Sequence, residues 1–259
     1  MELFDLTIDM FKSYILVLIR VSVVLFMLPI FGGKKIATII KAGCAFSISL
    51  VLLPVVHPDP ALFPDNPWFA FMILCSEIIL GFLLGFIIDC FFSGIQLAGQ
   101  MIGMQMGMAI ATVVDPNSGI QSSMVSQLGF WVAVITFVVL NGHILLLFAI
   151  KESFSIIPIG SLSLQAGLYK PVLQMASDIF TIAVQIGAPA IAALLFTDVA
   201  FALTAKVSPQ MNVFIVALPL KIAIGLFFFG LTLNMVLYFM RNYLNDFLHM
   251  MKNLMSLMV

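Results

Sequence analysis

Apolar positions in this chain come in long unbroken runs separated by short polar clusters, with neither the alternation of a half-buried strand nor the stripe of a surface helix. The first run extends from about Met10 to Phe31 and closes on Pro29 and Gly32-Gly33, with Lys34 and Lys35 behind it. The second, about Ile36 to Val56, stops in His57-Pro-Asp-Pro-Ala-Leu-Phe-Pro-Asp-Asn-Pro67. Proline there removes backbone donors and predicts an extended polar loop. A third run opens on Trp68, an aromatic of the membrane interface, and continues to about Gly107, far beyond what one span needs. Asp115-Pro116-Asn117-Ser118-Gly119 then reads as a turn. The fourth run, Met124 to Ile150, ends at Lys151-Glu152 before a loop holding Pro158 and Gly160. The fifth spans about Pro171 to Ala205 with Pro189 inside it, and the sixth Asn212 to Tyr238 with Pro219 near its start. A short amphipathic tail from Arg241 to Lys252 follows. A membrane helix needs roughly 20 apolar residues, so the pattern predicts about six such segments in an all-α, polytopic membrane-type protein of long, kinked hairpins.

Composition narrows the function classes. The 259 residues are 63% hydrophobic and only 9% charged, which leaves no room for a large soluble domain. A formal net charge of -1 removes the basis for nucleic-acid binding by counterion release. The opening Met1-Glu-Leu-Phe-Asp-Leu-Thr-Ile-Asp9 is acidic where a secretory signal has a basic region, so no cleavage is expected. Cys44, Cys75 and Cys90 lie in apolar runs and are odd in number, as small apolar fillers rather than a disulfide framework. His57, His143 and His249 are scattered, and neither HExxH nor a nucleophile elbow is present. No catalytic, cofactor or metal site is expected, and His143 reads as a hydrogen-bonded packing residue.

Two features resist a plain lipid-facing reading. Ala98-Gly-Gln-Met-Ile-Gly-Met-Gln-Met-Gly-Met108 sets glycine at every fourth position among methionines and glutamines. Gly99, Gly103 and Gly107 share a helical face where another backbone can approach, while Met101, Met104, Met106 and Met108 supply flexible, polarizable bulk. Ordinary helix packing accounts for the glycines alone; a deformable constriction accounts for the whole run. Second, Arg20, Glu77, Asp89, Asp178, Asp198 and Lys221 fall within or near apolar runs, where a charge costs about 2.5–3.5 kcal/mol at a bilayer centre on insertion scales. They must pair internally, face water or contact other subunits. Glu77, Gly81, Gly85 and Asp89 step by four and form one stripe. Lys and Arg are balanced between the two sets of connections: Lys34, Lys35, Lys41 and Lys206 against Lys12, Lys151, Lys170, Arg241 and Lys252. The positive-inside rule therefore does not orient the chain.

Ser208-Pro-Gln-Met-Asn-Val-Phe214, followed by Ile215-Val-Ala-Leu-Pro-Leu-Lys-Ile222, is a polar break between apolar runs, with Pro209, Gln210 and Asn212 placed as a hinge. Its wording resembles the signature of the FliR family of the flagellar type III export apparatus, related to the YscT and SpaR-type virulence proteins. The resemblance extends to Arg20 with Pro29-Ile-Phe-Gly32, the Glu77, Gly81, Gly85 stripe, Ala98 through Gly107, and Asp115-Pro116. It continues in Gly142-His143, Ser153 with Pro158, and Pro189 with Asp198. Lys206 stands where the family has arginine, and no proline follows Gly33-Lys-Lys35.

The resemblance implies a subunit of a protein-conducting export gate in the bacterial inner membrane, at the flagellar basal body. It would complete a helical ring with FliP and FliQ, alongside the FlhB-type gate subunit, and pass unfolded export substrates. It also implies a FliP-like portion over residues 1–165 and a FliQ-like hairpin with tail over 166–259. The assembled helices would be largely lifted out of the bilayer plane, and a loop of about residues 107–122 would plug the channel. On that basis Met104, Met106, Met108, Ile110, Val113, Val114, Asp115, Pro116 and Ile120 are expected in the seal and plug. Gly81, Gly85, Gly99, Gly103 and Gly107 are expected in close helix packing, and Arg20, Glu77, Asp89 and Lys221 at intersubunit polar contacts. The rival is a secondary transporter with an intramembrane polar site, against which no internal repeat is visible.

Overall fold

The computed structural model describes residues 2–32, 36–56, 66–108, 123–163, 166–208, 210 and 212–258, with side chains from Phe11 onward except those of Ala166, Val213 and Phe214. Their regular structure is entirely helical: α1 (Glu2–Met27), α2 (Pro29–Gly32), α3 (Thr38–Val56), α4 (Pro67–Gln105), α5 (Met124–Val139), α6 (Gly142–Ile156), α7 (Tyr169–Val207) and α8 (Val213–Ser256). A single 3-10 turn, Ala166–Leu168, precedes α7.

The helix boundaries follow local chemistry. Asn66 Oδ1 accepts the Trp68 N–H at 3.0 Å, so Asn66 caps α4 and Pro67 occupies a first-turn position where its missing donor costs nothing. Ser123 caps α5 by accepting the Val125 N–H at 3.2 Å. Pro54, Pro189 and Pro219 lie inside helices without ending them.

Two sequence expectations are corrected here. The fourth apolar run is two helices, bent by 68°. Asn141 sits at φ 57, in the left-handed region, and this breaks the ladder that hydropathy cannot see. Four helices, α3, α4, α7 and α8, are long and apolar enough to cross a membrane among the described residues, or five spans if the bent pair is one. Nor is the tail beyond Tyr238 a separate surface helix. α8 continues through it to Ser256 and buries Phe247, Met251, Leu254 and Met255.

The chain divides into two compact units, and neither is one stretch of sequence. The first comprises Met1–Asp89, Asn141–Gln174 and Leu244–Val259. In it α1 packs on α3, with the Tyr14 hydroxyl donating to Phe46 O at 3.0 Å and the two rings edge to face. Val17, Val21, Val24, Leu84 and Ile150 fill its core. The end of α8 is held by the Lys252–Glu152 ion pair at 2.9 Å and by the Ser163 N–H donating to Met258 O at 2.8 Å.

The second unit comprises Cys90–Leu140 and Met175–Tyr243. Its core pairs an aromatic group, in which Phe92 meets Phe130 and Phe137 at 6.1 and 5.7 Å, with a cluster of Ile102, Met106, Val125, Ala190, Leu194 and Phe229.

Candidate functional site

The glycine-methionine run ends α4 inside the second unit, and its glycines do two different jobs. Gly99 and Gly103 lie where α5 begins. A Cβ on Gly99 would collide with Ser126 Cα and come within 2.8 Å of Ser126 N, and one on Gly103 would collide with the Ser123 hydroxyl. The Ser126 hydroxyl donates to Gln96 O at 2.8 Å across the same seam. Small residues thus let the start of α5 lie against the backbone of α4.

Gly107 has a different role from its expected place on that face. It lies at φ 80, where a side chain is strained. The Gly107 N–H donates to Met104 O at 3.0 Å and the Met108 N–H to Gly103 O at 3.1 Å. These paired bonds form a Schellman stop. Gly107 terminates the helix instead of packing it.

This turn sorts the methionines. Met106 points into the core with no exposed surface, filling the notch that Gly225 leaves on α8; a Cβ there would come within 2.5 Å of Met106 Cγ. Met106 is therefore a peg holding the helix end, not a wall of any open passage. Met108 is half-buried against the same cluster. Met104 faces outward at 59% exposure. Ile110, Val113, Val114, Asp115, Pro116 and Ile120 lie outside the described residues.

The charges in and near the apolar runs are placed differently from expectation. Arg20 and Glu77 were expected to meet other subunits, yet both are fully buried in the first unit and bind each other. Arg20 Nε donates to Glu77 Oε2 at 2.6 Å and Nη2 to Oε1 at 3.0 Å, the two-pronged geometry only a guanidinium offers a carboxylate. Nη1 donates to Ser153 Oγ at 3.3 Å and to Ile157 O at 3.1 Å, and the guanidinium carbon lies 4.1 Å from the Phe154 ring centroid. The Gly160 N–H approaches Glu77 Oε1 at 3.4 Å, with Gly160 at φ 77 completing the turn. One ion pair thereby ties α1, α4, α6 and the following loop together.

Gly81 and Gly85 continue this stripe against α1. An added Cβ would meet Arg20 O and Val23 Cβ at 2.9 Å in one case and Met27 Cβ at 2.5 Å in the other. Lys221 on α8 pairs with Asp198 on α7 within the second unit, so it too is neutralised inside the chain. Asp89 is half-buried and already engaged. Of the hinge residues, Gln210 and Asn212 are exposed between α7 and α8, Asn212 O accepts the Ile215 N–H at 3.2 Å, and Pro209 lies outside the described residues.

Sequence reading did not single out Gly94, whose added Cβ would meet Ile182 at 2.9 Å, or Gly225. Neither belongs to a spaced glycine series, so periodicity gave no signal. Ser126 and Phe154 were missed because their roles depend on a partner more than twenty residues away. Among the described residues, no group of three His, Cys, Asp or Glu could hold a metal ion.

Comparison with known proteins adds an independent line. The family model for bacterial export proteins, family 1, matches residues 11–247. The chain is 32% identical over 253 residues to the flagellar biosynthetic protein FliR of Bacillus subtilis (strain 168), covering 96% of this chain and 97% of that protein. It is 25% identical to the FliR of Escherichia coli (strain K12), over 92% of this chain and 91% of that one. The FliR of Aquifex aeolicus (strain VF5) is 28% identical over 88% of each chain.

Proposed function

The chain belongs to the bacterial export proteins, family 1, and from that membership we propose that it is a subunit of the protein-conducting gate of the flagellar type III export apparatus. In this reading it sits in the bacterial inner membrane at the flagellar basal body and completes a helical ring with FliP and FliQ, next to the FlhB-type subunit. Its segment of about residues 107–122 closes the channel to ions between passages of unfolded substrate. Residues 1–165 act as the FliP-like portion and 166–259 as the FliQ-like hairpin.

The observation that carries this reading is an excess of uncovered apolar helix. Only 11% of the apolar window of α3 and 17% of that of α8 is buried within the chain. Large side chains such as Ile39, Val51, Phe196 and Phe227 stand exposed. Faces of that extent require lipid or sibling helices. The end of α4 supports the seal. Schellman bonds and the Met106 peg fix the stem, and Met104 is left outward at the edge of the closing segment. A thioether can repack around side chains of many shapes, so it suits a passage that must accept varied polypeptides and leak few ions.

Two measurements test this. With an export substrate stalled in the assembled gate, Met104→Cys should crosslink to it and Met106→Cys should not, because the second side chain is enclosed. Equal crosslinking from both, or none from Met104→Cys, would count against the seal. Deleting Val113 to Ile120 should raise ion conductance of the co-expressed gate about tenfold or more, and an unchanged leak would remove the plug from the reading.

A further inference from the structure

We propose that the crevice between the end of α1 and the start of α3 holds an anionic phospholipid, with one acyl chain lying in the crevice and the phosphate against Lys41. This needs only the membrane location of the chain and is independent of the gate reading. α1 ends at Met27, the short α2 reverses the chain, and α3 returns to pack on α1. The crevice at this end is shallow and lined by Leu25, Phe26, Phe31, Lys41 and Cys44. Four of the five are apolar, so the lining suits hydrocarbon, and Lys41 alone brings charge to it. Lys41 belongs to the first turn of α3 and is half-buried and already engaged. An ammonium carries three donors, so a headgroup oxygen can share it.

Two observations identify the occupant. The first is charge. No acidic residue occurs between Asp9 and Asp59, whereas Lys12, Arg20, Lys34, Lys35 and Lys41 all fall in that stretch. Arg20 is neutralised by Glu77, and the first turn of α3 holds no acidic residue. The second is the covering that α3 requires. Its 19 residues measure about 28 Å at 1.5 Å each, close to the roughly 30 Å of hydrocarbon in a bilayer. Ile39, Phe46, Leu50, Val51 and Val55 stand exposed along it. Its two serines are satisfied within the helix itself: the Ser47 hydroxyl donates to Gly43 O at 2.9 Å and that of Ser49 to Ala45 O at 2.7 Å. A face whose mid-helix hydroxyls bond their own backbone is suited to acyl chains. Lys41 then lies at the depth where hydrocarbon gives way to headgroups, with its stem among apolar side chains and its ammonium free to reach outward. A lipid with a negative phosphate meets both the apolar crevice and the lysine, as anionic headgroups do at basic pockets between membrane helices.

The test reconstitutes the full chain, in the complex in which mild detergent extracts it, into phosphatidylcholine nanodiscs carrying a trace of lipid with a photoactivatable diazirine on one acyl chain. Phosphatidylglycerol and phosphatidylcholine probes of identical chains are compared, and labelled residues are mapped by mass spectrometry, with Leu50 to Val55 as the reference for bulk lipid. At Leu25 to Phe31 and Cys44, phosphatidylglycerol should label roughly fivefold more than phosphatidylcholine, the worth of one lysine beside an anionic headgroup. The reference should show no preference. Lys41→Gln should bring the two probes level, Lys41→Arg should keep the preference, and Cys44→Trp, which fills the crevice, should lower labelling by both. Should Cys44→Trp fail to accumulate, the Lys41 pair decides the matter. Equal labelling by the two probes in the unaltered chain overturns the proposal, and so does a preference that survives in Lys41→Gln. Labelling of the reference but of none of the crevice residues would mean that a protein segment covers the crevice, and overturns the choice of occupant. Conductance plays no part in these readouts, so the gate reading stands or falls separately.

Discussion

Arg20→Ala should remove most folded chain from the membrane. The substitution leaves the Glu77 carboxylate buried with no counter-charge and removes the guanidinium donor to Ser153 Oγ and the Ile157 carbonyl at the same time. Deleting one member of a buried pair typically costs about 3–5 kcal/mol, a large share of a total stability of about 5–15 kcal/mol. Arg20→Lys should recover little, since an ammonium cannot donate two parallel bonds to the carboxylate and a third set to Ser153 and Ile157. The double variant Arg20→Met, Glu77→Leu should recover most of the loss, because an apolar pair of similar volume carries no desolvation cost. Thermal unfolding in detergent and protease resistance in membranes would measure this. If the single and double variants fall equally, the pair is not what holds α1, α4 and α6 together.

The second large effect is expected at Gly99. A valine there places branched carbons where Ser126 Cα and N already lie, so α5 must move off α4 and the Ser126 to Gln96 bond must break. Overpacking of this kind costs about 1–3 kcal/mol, and here the neighbour is the Ser126 backbone, which cannot rotate away. Ser123 borders the segment proposed above as the plug, so on the gate reading the assembled gate should also leak ions. Gly43→Ala on α3 is the matched control. Nothing lies within 4 Å of its added Cβ, and replacing a helix-interior glycine stabilises by roughly 0.5–1 kcal/mol. Equal behaviour of the two variants in unfolding and conductance would refute the role of the Gly99 seam.

These contrasts show what could be read in the chain beforehand. Helical class, the long runs and the helix ends at Gly32, Val56 and Val207 were visible because proline, glycine and run length act locally; the proline loop expected at 57–65 lies outside the described residues. Partners were not. Hydropathy adds up all faces of a helix, so it cannot tell that Met106 turns inward while Met104, two residues earlier, turns outward. The glycine spacing was plain, yet Gly107 ends the helix because its φ is positive, a property no side-chain pattern reports. Arg20 and Glu77 were noticed as costly charges, but their separation of 57 positions hid that each answers the other. The break at Asn141 was hidden for a related reason: a lone residue in the left-handed region divides an apolar run without lowering its hydropathy.

The interleaving of the first unit has a consequence for biogenesis. Its core joins helices from the first 89 residues to Met251, Leu254 and Met255 near the other end, and Met258 O closes the turn of Ser163. At about 5–20 residues per second, the 166 residues from Asp89 to Met255 take about eight to thirty-three seconds to make. α1 and the first part of α4 precede by that interval the α8 residues that share their unit, so the core of this unit is completed only once Met255 has been made.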